Sequence, residues 1–463
     1  MKVFLVGIKG VAMAALAVIL TKMGYKVEGS DVEEEFITDE ELNTYKIKVK
    51  NFEPSHITND LSFVVYSGAN QGRENPQVIK AQTLGIKVYT QTDLLNKFMK
   101  DFSCSIGVSG SHGKTTTSAL LAHSLIKLGA EPSYMVGSSN FGEFSGGDFR
   151  SKDYFVFEAD EYAIDPPYDN TIKLELYKPN IALITNIDFD HPDVYEDLSH
   201  TKRIFAKFFR KSGKVYICRD DQNSIDTAKI ANIPNVRTFG TSQDADFHIY
   251  SQNINSNGIS FKLKSQKIDY GIFSLNLFGE KNVLNSAGVI SVLLDLGFSA
   301  EEIRSAIRDF KGAKRRFELK FSDKGTYLFD DYAHHPKEIE ATIKAAKEIF
   351  KNKRIIIVFQ SHTYSRTQKF LKGFAKSLSL ADHVFILPIF SSAREKPQDF
   401  NISSQSIVDE AKGRGNLKAI SGKEELTQEL TNILGVGDVG FTMGAGNQNM
   451  LAPDIIELIR NLK

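Results

Sequence analysis

The stretch Ile106-Gly107-Val108-Ser109-Gly110-Ser111-His112-Gly113-Lys114-Thr115-Thr116 decides how this chain is read. It has the form of a strand end, a glycine-rich turn and a helix start, with the helix expected from Thr115 to about Leu128. Gly110 and Gly113 carry no Cβ, so backbone N–H groups there can close around a phosphate. The helix that follows points its positive end at the same place. Lys114 offers a mobile charge for the outer phosphates, and the Thr115 hydroxyl can ligate Mg²⁺. Residues Gly110, Ser111, His112, Gly113, Lys114, Thr115 and Thr116 are therefore the candidate triphosphate cradle.

Working outward, the chain has 463 residues, which sets a prior of three domains. Hydrophobic residues make up 41% and charged residues 25%, enough for full cores. The formal net charge is zero, which gives no electrostatic footprint for nucleic acid or an anionic membrane. Cys104 and Cys218 lack metal or redox spacing and read as small core residues of a cytoplasmic protein. The run Val11 to Leu20 faintly resembles a signal peptide, but it reads better as a helix between the strands Val3 to Val6 and Lys26 to Gly29.

Three α/β segments follow from the alternation of strands and helices, with expected bounds 1–100, 101–312 and 313–463. The first opens with the turn Gly7-Ile8-Lys9-Gly10, a worn dinucleotide fingerprint with Lys9 and Ala12 where glycines are usual. Asp31 ends the second strand, where an acid often takes a ribose hydroxyl. Gly7, Gly10, Asp31 and Ser67 are the candidate residues for a nucleotide-diphosphate ligand.

In the second segment the strands Tyr154 to Phe157 and Ile181 to Thr185 both end in acidic clusters. Glu158 and His191 are the candidate metal ligands there, beside Thr115. In the third segment, one arginine of Lys314-Arg315-Arg316 can stabilise a transferring phosphoryl group. The pair His334-His335 resembles a zinc pair, but no third ligand has recognisable spacing. His362 and Arg366 follow a strand end and can hold an anionic substrate.

Taken together, these motifs resemble the Mur ligase family. They are Ser109 to Thr116, Glu158-Ala159-Asp160-Glu161, Thr185-Asn186-Ile187 with Asp190-His191, Gly279 to Asn282 with Asn285, Lys314 to Glu318, and Asp330 to Pro336. The resemblance spans all three segments. It implies a Rossmann-like first domain for the UDP moiety, a central P-loop domain for ATP with Mg²⁺, and a Rossmann-like third domain. It implies an ATP-dependent amide ligase of cytoplasmic peptidoglycan precursor synthesis. L-alanine would join the muramic carboxylate of UDP-N-acetylmuramate through an acyl phosphate. The alternative within the family attaches the tripeptide L-alanyl-γ-D-glutamyl-meso-diaminopimelate to the same acceptor.

The resemblance also assigns roles. Lys114 would meet the γ-phosphate, and Thr115, Glu158 and His191 the Mg²⁺ ions. Asn282 would face the adenine, Arg316 a phosphate and Asp331 the ATP ribose. His362 and Arg366 would lie near the new bond. Candidate catalytic residues are thus Lys114, Glu158, His191, Arg316, His362 and Arg366. The chain departs from the family at Lys281, at Thr363 where alanine-adding members carry arginine, and at Asn447. The stretch Ala163 to Tyr177 is longer than in alanine-adding members, and Phe205 stands near the place where some relatives carbamylate a lysine. Outside the family, Gly7, Gly10 and Asp31 alone would fit a nicotinamide-dependent oxidoreductase, and the P-loop alone a non-catalytic switch.

Overall fold

The computed structural model describes residues 1–34, 36–189, 194–255, 258–391, 395, 397–413 and 415–462, and every count below refers to these. The chain is α/β, as expected. It divides into two compact units. One comprises Met1–Asn253, Ser260–Asn276 and Lys281–Lys314; the other comprises Ile254–Ile259, Leu277–Glu280 and Arg315–Lys463.

The first unit holds a five-stranded parallel sheet in the order Lys48–Lys50, Lys26–Ser30, Lys2–Val6, Leu61–Tyr66, Lys87–Thr90. Its central strand shows the period of two expected of a strand covered on both faces. Val3 and Leu5 enter one core, and Phe4 and Val6 another, with Val78 and Ala81 of the helix Pro76–Thr83. The helix Val11–Lys22 is buried from Met13 to Leu20. It packs between this sheet and the strands Ser133–Phe141 and Phe144–Asp148. A Cβ on Gly147 would overlap Ala15 O. Burial on two sides explains why this helix is apolar all round and reads like a leader segment. Among the described residues no helix is long and apolar enough to cross a membrane.

The same unit holds the ten-stranded sheet that contains the cradle strand, Cys104–Ser109. Its neighbours are Ile181–Ile184 on one side and Tyr154–Glu158 on the other, both parallel to it. Ser109 is in register with Ile184, and Val108 with Glu158. The carboxyl ends of three adjacent parallel strands therefore stand side by side, which is where open α/β sheets bind ligands. A separate hairpin, Ala163–Asp165 with Asp169–Ile172, forms from the longer stretch noted above. Phe205 is wholly buried in the helix Leu198–Lys211 and offers no metal ligand.

The second unit is built on a six-stranded sheet in the order Glu318–Asp323, Thr326–Asp331, Val439–Gly444, Ile355–Gln360, His383–Ile386, Leu417–Ala419. The first pair is antiparallel and the rest are parallel. Phe329, Ile355, Ile357 and Phe359 pack under the helices Pro336–Ile349 and Leu371–Leu378. Leu328, Ile356 and Val358 pack against Lys423–Ile433 and Ala452–Arg460 on the other face.

Candidate active site

The cradle turn is shaped by its glycines. Gly110 has φ 133° and Gly113 φ 85°, both in the range that favours glycine. A Cβ on Gly110 would overlap Thr185 Oγ1, and one on Gly113 would lie 2.6 Å from Asn285 Nδ2. The helix begins at Lys114 and ends at Lys127.

Residues from the neighbouring strand hold the loop. Asn186 accepts from Ser111 N through its backbone (3.0 Å) and from His112 N through its side chain (3.1 Å). Its Nδ2 donates to His112 O at 2.9 Å, and Thr185 Oγ1 donates to the same oxygen at 2.6 Å. Ser111 Oγ exchanges hydrogen bonds with the Asp188 backbone at 2.7 and 3.0 Å.

Lys114 folds back into its own turn. Its Nζ donates to Gly110 O at 2.5 Å and to Glu161 Oε2 at 2.8 Å. Glu161 is 1% exposed. Burial alone would pull the Lys114 amine down, but the charges of Glu161 and Glu158 outweigh it and raise its pKa, so the ammonium is firmly held. Glu158 Oε2 accepts from Gly137 N at 3.0 Å. Thr115 is buried at the head of the helix. Lys114, Thr115 and Glu158 are thus gathered by one sheet edge. A hydroxyl and a carboxylate are hard oxygen donors, which suits Mg²⁺. Asp190 and His191 lie outside the described residues. Asn282 sits in the first turn of the helix Glu280–Asp295, whose Asn285 covers Gly113.

The first turn of the chain is built differently. Only Gly7 needs glycine: its φ is 81°, and a Cβ there would lie 3.2 Å from Ser67 Cβ. Gly10 has φ −60° and is extended. Asp31 is buried and accepts from Lys9 N at 2.7 Å and Val32 N at 2.9 Å. Burial raises its pKa. Its carboxylate therefore organises the turn. Lys9 Nζ donates to Glu34 O at 2.6 Å and pairs with Asp39 at 3.4 Å. A cleft of about 720 Å³ opens here, lined by Lys9, Asp31, Asp39, Lys46 and Lys50 among others.

In the second unit the two adjacent arginines both lie against the Tyr332 ring, Arg315 at 5.0 Å, but differ in their hydrogen bonds. Arg315 has φ 60° and turns its guanidinium inward. It donates to Asp330 at 3.1 Å, Gly444 O at 2.8 Å and Gly446 O at 3.2 Å. Arg316 is half-buried and lies over the Tyr332 ring at 5.2 Å. Asp331 accepts from Phe317 N and Ala333 N, both at 2.8 Å. Burial pushes its pKa up to about 6. That carboxylate fixes the Arg315–Phe317 turn.

His334 and His335 are lowered by burial, His335 to about 4, and both feel the Arg366 charge. His362 stacks on Phe390 at 5.6 Å. Thr363 adopts φ 66°, a costly conformation for a β-branched residue. Its N–H donates to Phe390 O at 2.9 Å, and its carbonyl accepts from Thr367 Oγ1 at 2.7 Å. Glu395 receives Tyr364 N at 2.6 Å and so caps the short helix that carries Arg366. Among the described residues no group of three or more His, Cys, Asp and Glu residues could hold a metal ion.

Glu161, Thr185, Asn186, Asn285 and Glu395 thus support the candidate residues, and the motifs give them no role of their own; Arg315, one of the two arginines open to the phosphoryl role, is held inward instead. Residue type alone does not tell Arg315 from Arg316; only the family resemblance singles out Arg316.

Comparison with known proteins agrees with this architecture. Residues 2–103 match the Mur ligase family catalytic domain, 108–293 the Mur ligase middle domain, and 315–446 the Mur ligase glutamate ligase domain. The chain is 38% identical over 440 residues to a UDP-N-acetylmuramate–L-alanine ligase of Lactiplantibacillus plantarum, covering 94% of this chain and 96% of that one. The chain belongs to the Mur ligase family. Among solved Mur ligases, the UDP-N-acetylmuramate–alanine ligase of Thermotoga maritima superimposes with a TM-score of 0.81 at 25% identity, covering 99% of both chains. A murein peptide ligase of Psychrobacter arcticus shares the fold, with a TM-score of 0.72 at 21% identity, covering 100% of this chain and 99% of that one.

Proposed function

We propose that this Mur ligase joins L-alanine to the muramic carboxylate of UDP-N-acetylmuramate, converting ATP to ADP and phosphate. One observation carries the reading: the likeness to the L. plantarum ligase runs through 94% of the chain, across all three matched domains. The cradle supports the phosphoryl chemistry. A carboxylate is a poor acyl donor, and phosphorylation supplies a leaving group.

In this reading residues 1–100 bind the UDP moiety, with Gly7, Gly10, Asp31 and Ser67 at the nucleotide. Residues 101–312 bind ATP: Gly110 to Thr116 surround the phosphates and Asn282 faces the adenine. Lys114 leaves Glu161 to meet the γ-phosphate. Mg²⁺, held by Thr115, Glu158 and His191, would shield the charge where two anions meet. Arg316 neutralises a phosphate, and Asp331 orders the turn that carries Arg316. In residues 313–463, His362 and Arg366 hold the amino acid carboxylate. The muramic oxygen attacks the γ-phosphorus, ADP departs, the amine attacks the acyl carbon, and phosphate leaves.

The longer stretch 163–177 favours a second reading, in which the tripeptide replaces L-alanine. One assay separates the two. The protein is mixed with ATP, Mg²⁺ and UDP-N-acetylmuramate, and L-alanine, glycine, L-serine and the tripeptide are offered separately, with products weighed by mass spectrometry. L-alanine is expected to be the best amine. Product with the tripeptide and none with L-alanine would move the assignment to the second reading. Family membership leaves the oxidoreductase reading without support.

A further inference from the structure

Residues 67–75 connect the strand Leu61–Tyr66 to the helix Pro76–Thr83. Within them Asn70, Gln71 and Gly72 take φ of 53°, 71° and 52° in succession. Glycine and asparagine tolerate that region; a glutamine there is strained by about 1–2 kcal/mol. Such a run persists only where its surroundings determine it.

Part of the support is local. Asn75 Nδ2 donates to Asn70 O at 3.1 Å, and Ser67 Oγ accepts from Ala69 N at 3.0 Å. The rest comes from about 90 residues further along the chain. Asp165, in the hairpin Ala163–Asp165 with Asp169–Ile172, is 0% exposed. Its carboxylate accepts from Arg73 Nε at 2.7 Å, from Arg73 N at 3.3 Å to each oxygen, and from Tyr66 OH at 3.3 Å. The approach is close enough to demand glycine twice. A Cβ on Gly72 would overlap the Asp165 carboxylate, and one on Gly68 would overlap Ile164 O.

The loop's other side meets the first turn. Asn70 Nδ2 donates to Asp31 Oδ1 at 3.4 Å, and Ser67 lies against Gly7. Just beyond the hairpin, Lys173 Nζ donates to Gln91 Oε1 at 3.2 Å and Asp160 Oδ2 at 3.3 Å. The hairpin is thus tied at one end to the loop beside Gly7 and at the other to the acidic stretch containing Glu158 and Glu161.

We propose that Asp165 is a positioning residue for the sugar nucleotide: it clamps the left-handed Asn70–Gly72 turn so that Ser67 and the Gly7 turn are presented in binding geometry. This rests on the assignment of Gly7, Gly10, Asp31 and Ser67 to the sugar nucleotide. It gives the longer stretch 163–177 a task independent of the incoming amine.

The test uses full-length protein and the variants Asp165→Ala and Asp165→Asn. Steady-state kinetics vary ATP, L-alanine and UDP-N-acetylmuramate in turn, and calorimetry titrates UDP-N-acetylmuramate directly. Asp165→Ala is expected to raise KM and Kd for the sugar nucleotide about tenfold or more, the effect of losing charge-assisted hydrogen bonds, while KM for ATP and kcat change less than about twofold. Asp165→Asn, which keeps an acceptor oxygen, falls between. If Asp165→Ala does not fold, Arg73→Gln removes the same contact from its more exposed side and is expected to shift the sugar-nucleotide constants in the same direction. Equal rises in both KM values, or a lowered melting temperature with unchanged sugar-nucleotide affinity, would overturn the clamp. Wild-type protein that binds no UDP-N-acetylmuramate would instead overturn the functional assignment beneath it.

Discussion

The strand–turn–helix unit that opens the chain and the one that forms the cradle share a plan and differ in what occupies the turn. In Lys2–Val6 and Val11–Lys22, the turn is closed by an acid: Asp31 takes the Lys9 amide, and Lys9 reaches away to Glu34 and Asp39. In Cys104–Ser109 and Lys114–Lys127, the turn is occupied by a base: Lys114 lies across the Gly110 carbonyl and is held by Glu161. The acid-closed turn faces a cleft lined by both lysines and acids, while the base-filled turn holds its lysine on the buried Glu161 carboxylate. The two turns thus share a plan and differ in which charged group meets their backbone: the Asp31 carboxylate accepts amides at the first, and the Lys114 ammonium donates to a carbonyl at the second.

Four experiments test that contrast, in descending order of effect. Lys114→Ala should lower kcat by about 10²–10³-fold, the range for losing a preorganised donor to developing charge. Calorimetric affinity for UDP-N-acetylmuramate should stay within about twofold, because the two turns are separate. Parallel losses in both would end the distinction.

Next, of the two helices, Lys114–Lys127 carries a buried histidine and Val11–Lys22 has none. His123 is 5% exposed, its Nε2 has no hydrogen-bond partner, and burial holds its pKa down at about 4. An unfolded chain takes that proton near pH 6.5, so stability is full above 6.5 and falls as pH drops towards 4. The loss should reach up to about 3 kcal/mol, at about 1.4 per unit. His334 and His335 lose stability in the same direction in both proteins, so denaturant melts should show a shallower fall in His123→Leu than in wild type, and equal slopes would contradict the His123 contribution.

The glycines give smaller effects. Gly113→Ala forces a side chain to φ 85° against Asn285 and should weaken ATP binding about tenfold, the cost of one left-handed residue. Gly10→Ala is expected to do less. Its Cβ would meet only Gly7 O at 3.7 Å, so the melting temperature should hold. Sugar-nucleotide affinity should fall a few-fold, roughly 1 kcal/mol or less, if backbone approaches ligand there. Unchanged affinity would remove Gly10 from the site.

These contrasts also mark what the sequence can and cannot say. The cradle is legible because Gly110, Gly113, Lys114 and Thr115 are contiguous and their geometry is local. Its supports are not. Glu161 and Asn186 lie 47 and 74 residues from the groups they hold, and only the strand order brings them there. The first turn looks degraded because Lys9 and Ala12 replace glycines, yet only Gly7 has the backbone that requires one. Arg315 and Arg316 are equivalent as letters, and a left-handed φ at Arg315 is what sends one inward to Asp330. Asp31 and Asp331 occupy the expected strand ends, but their oxygens are engaged by backbone amides, a pairing that no spacing rule encodes.

The account's central claim is that ATP held at the second turn activates the carboxylate of a sugar nucleotide held at the first. UDP-N-acetylmuramate carrying ¹⁸O in its muramic carboxylate tests this most directly, with ATP, Mg²⁺ and L-alanine supplied and the released phosphate weighed. One labelled oxygen should pass into each phosphate, because the oxygen bridging carbon and phosphorus comes from the carboxylate. Amide formation with unlabelled phosphate, or phosphate release without amide, would contradict it.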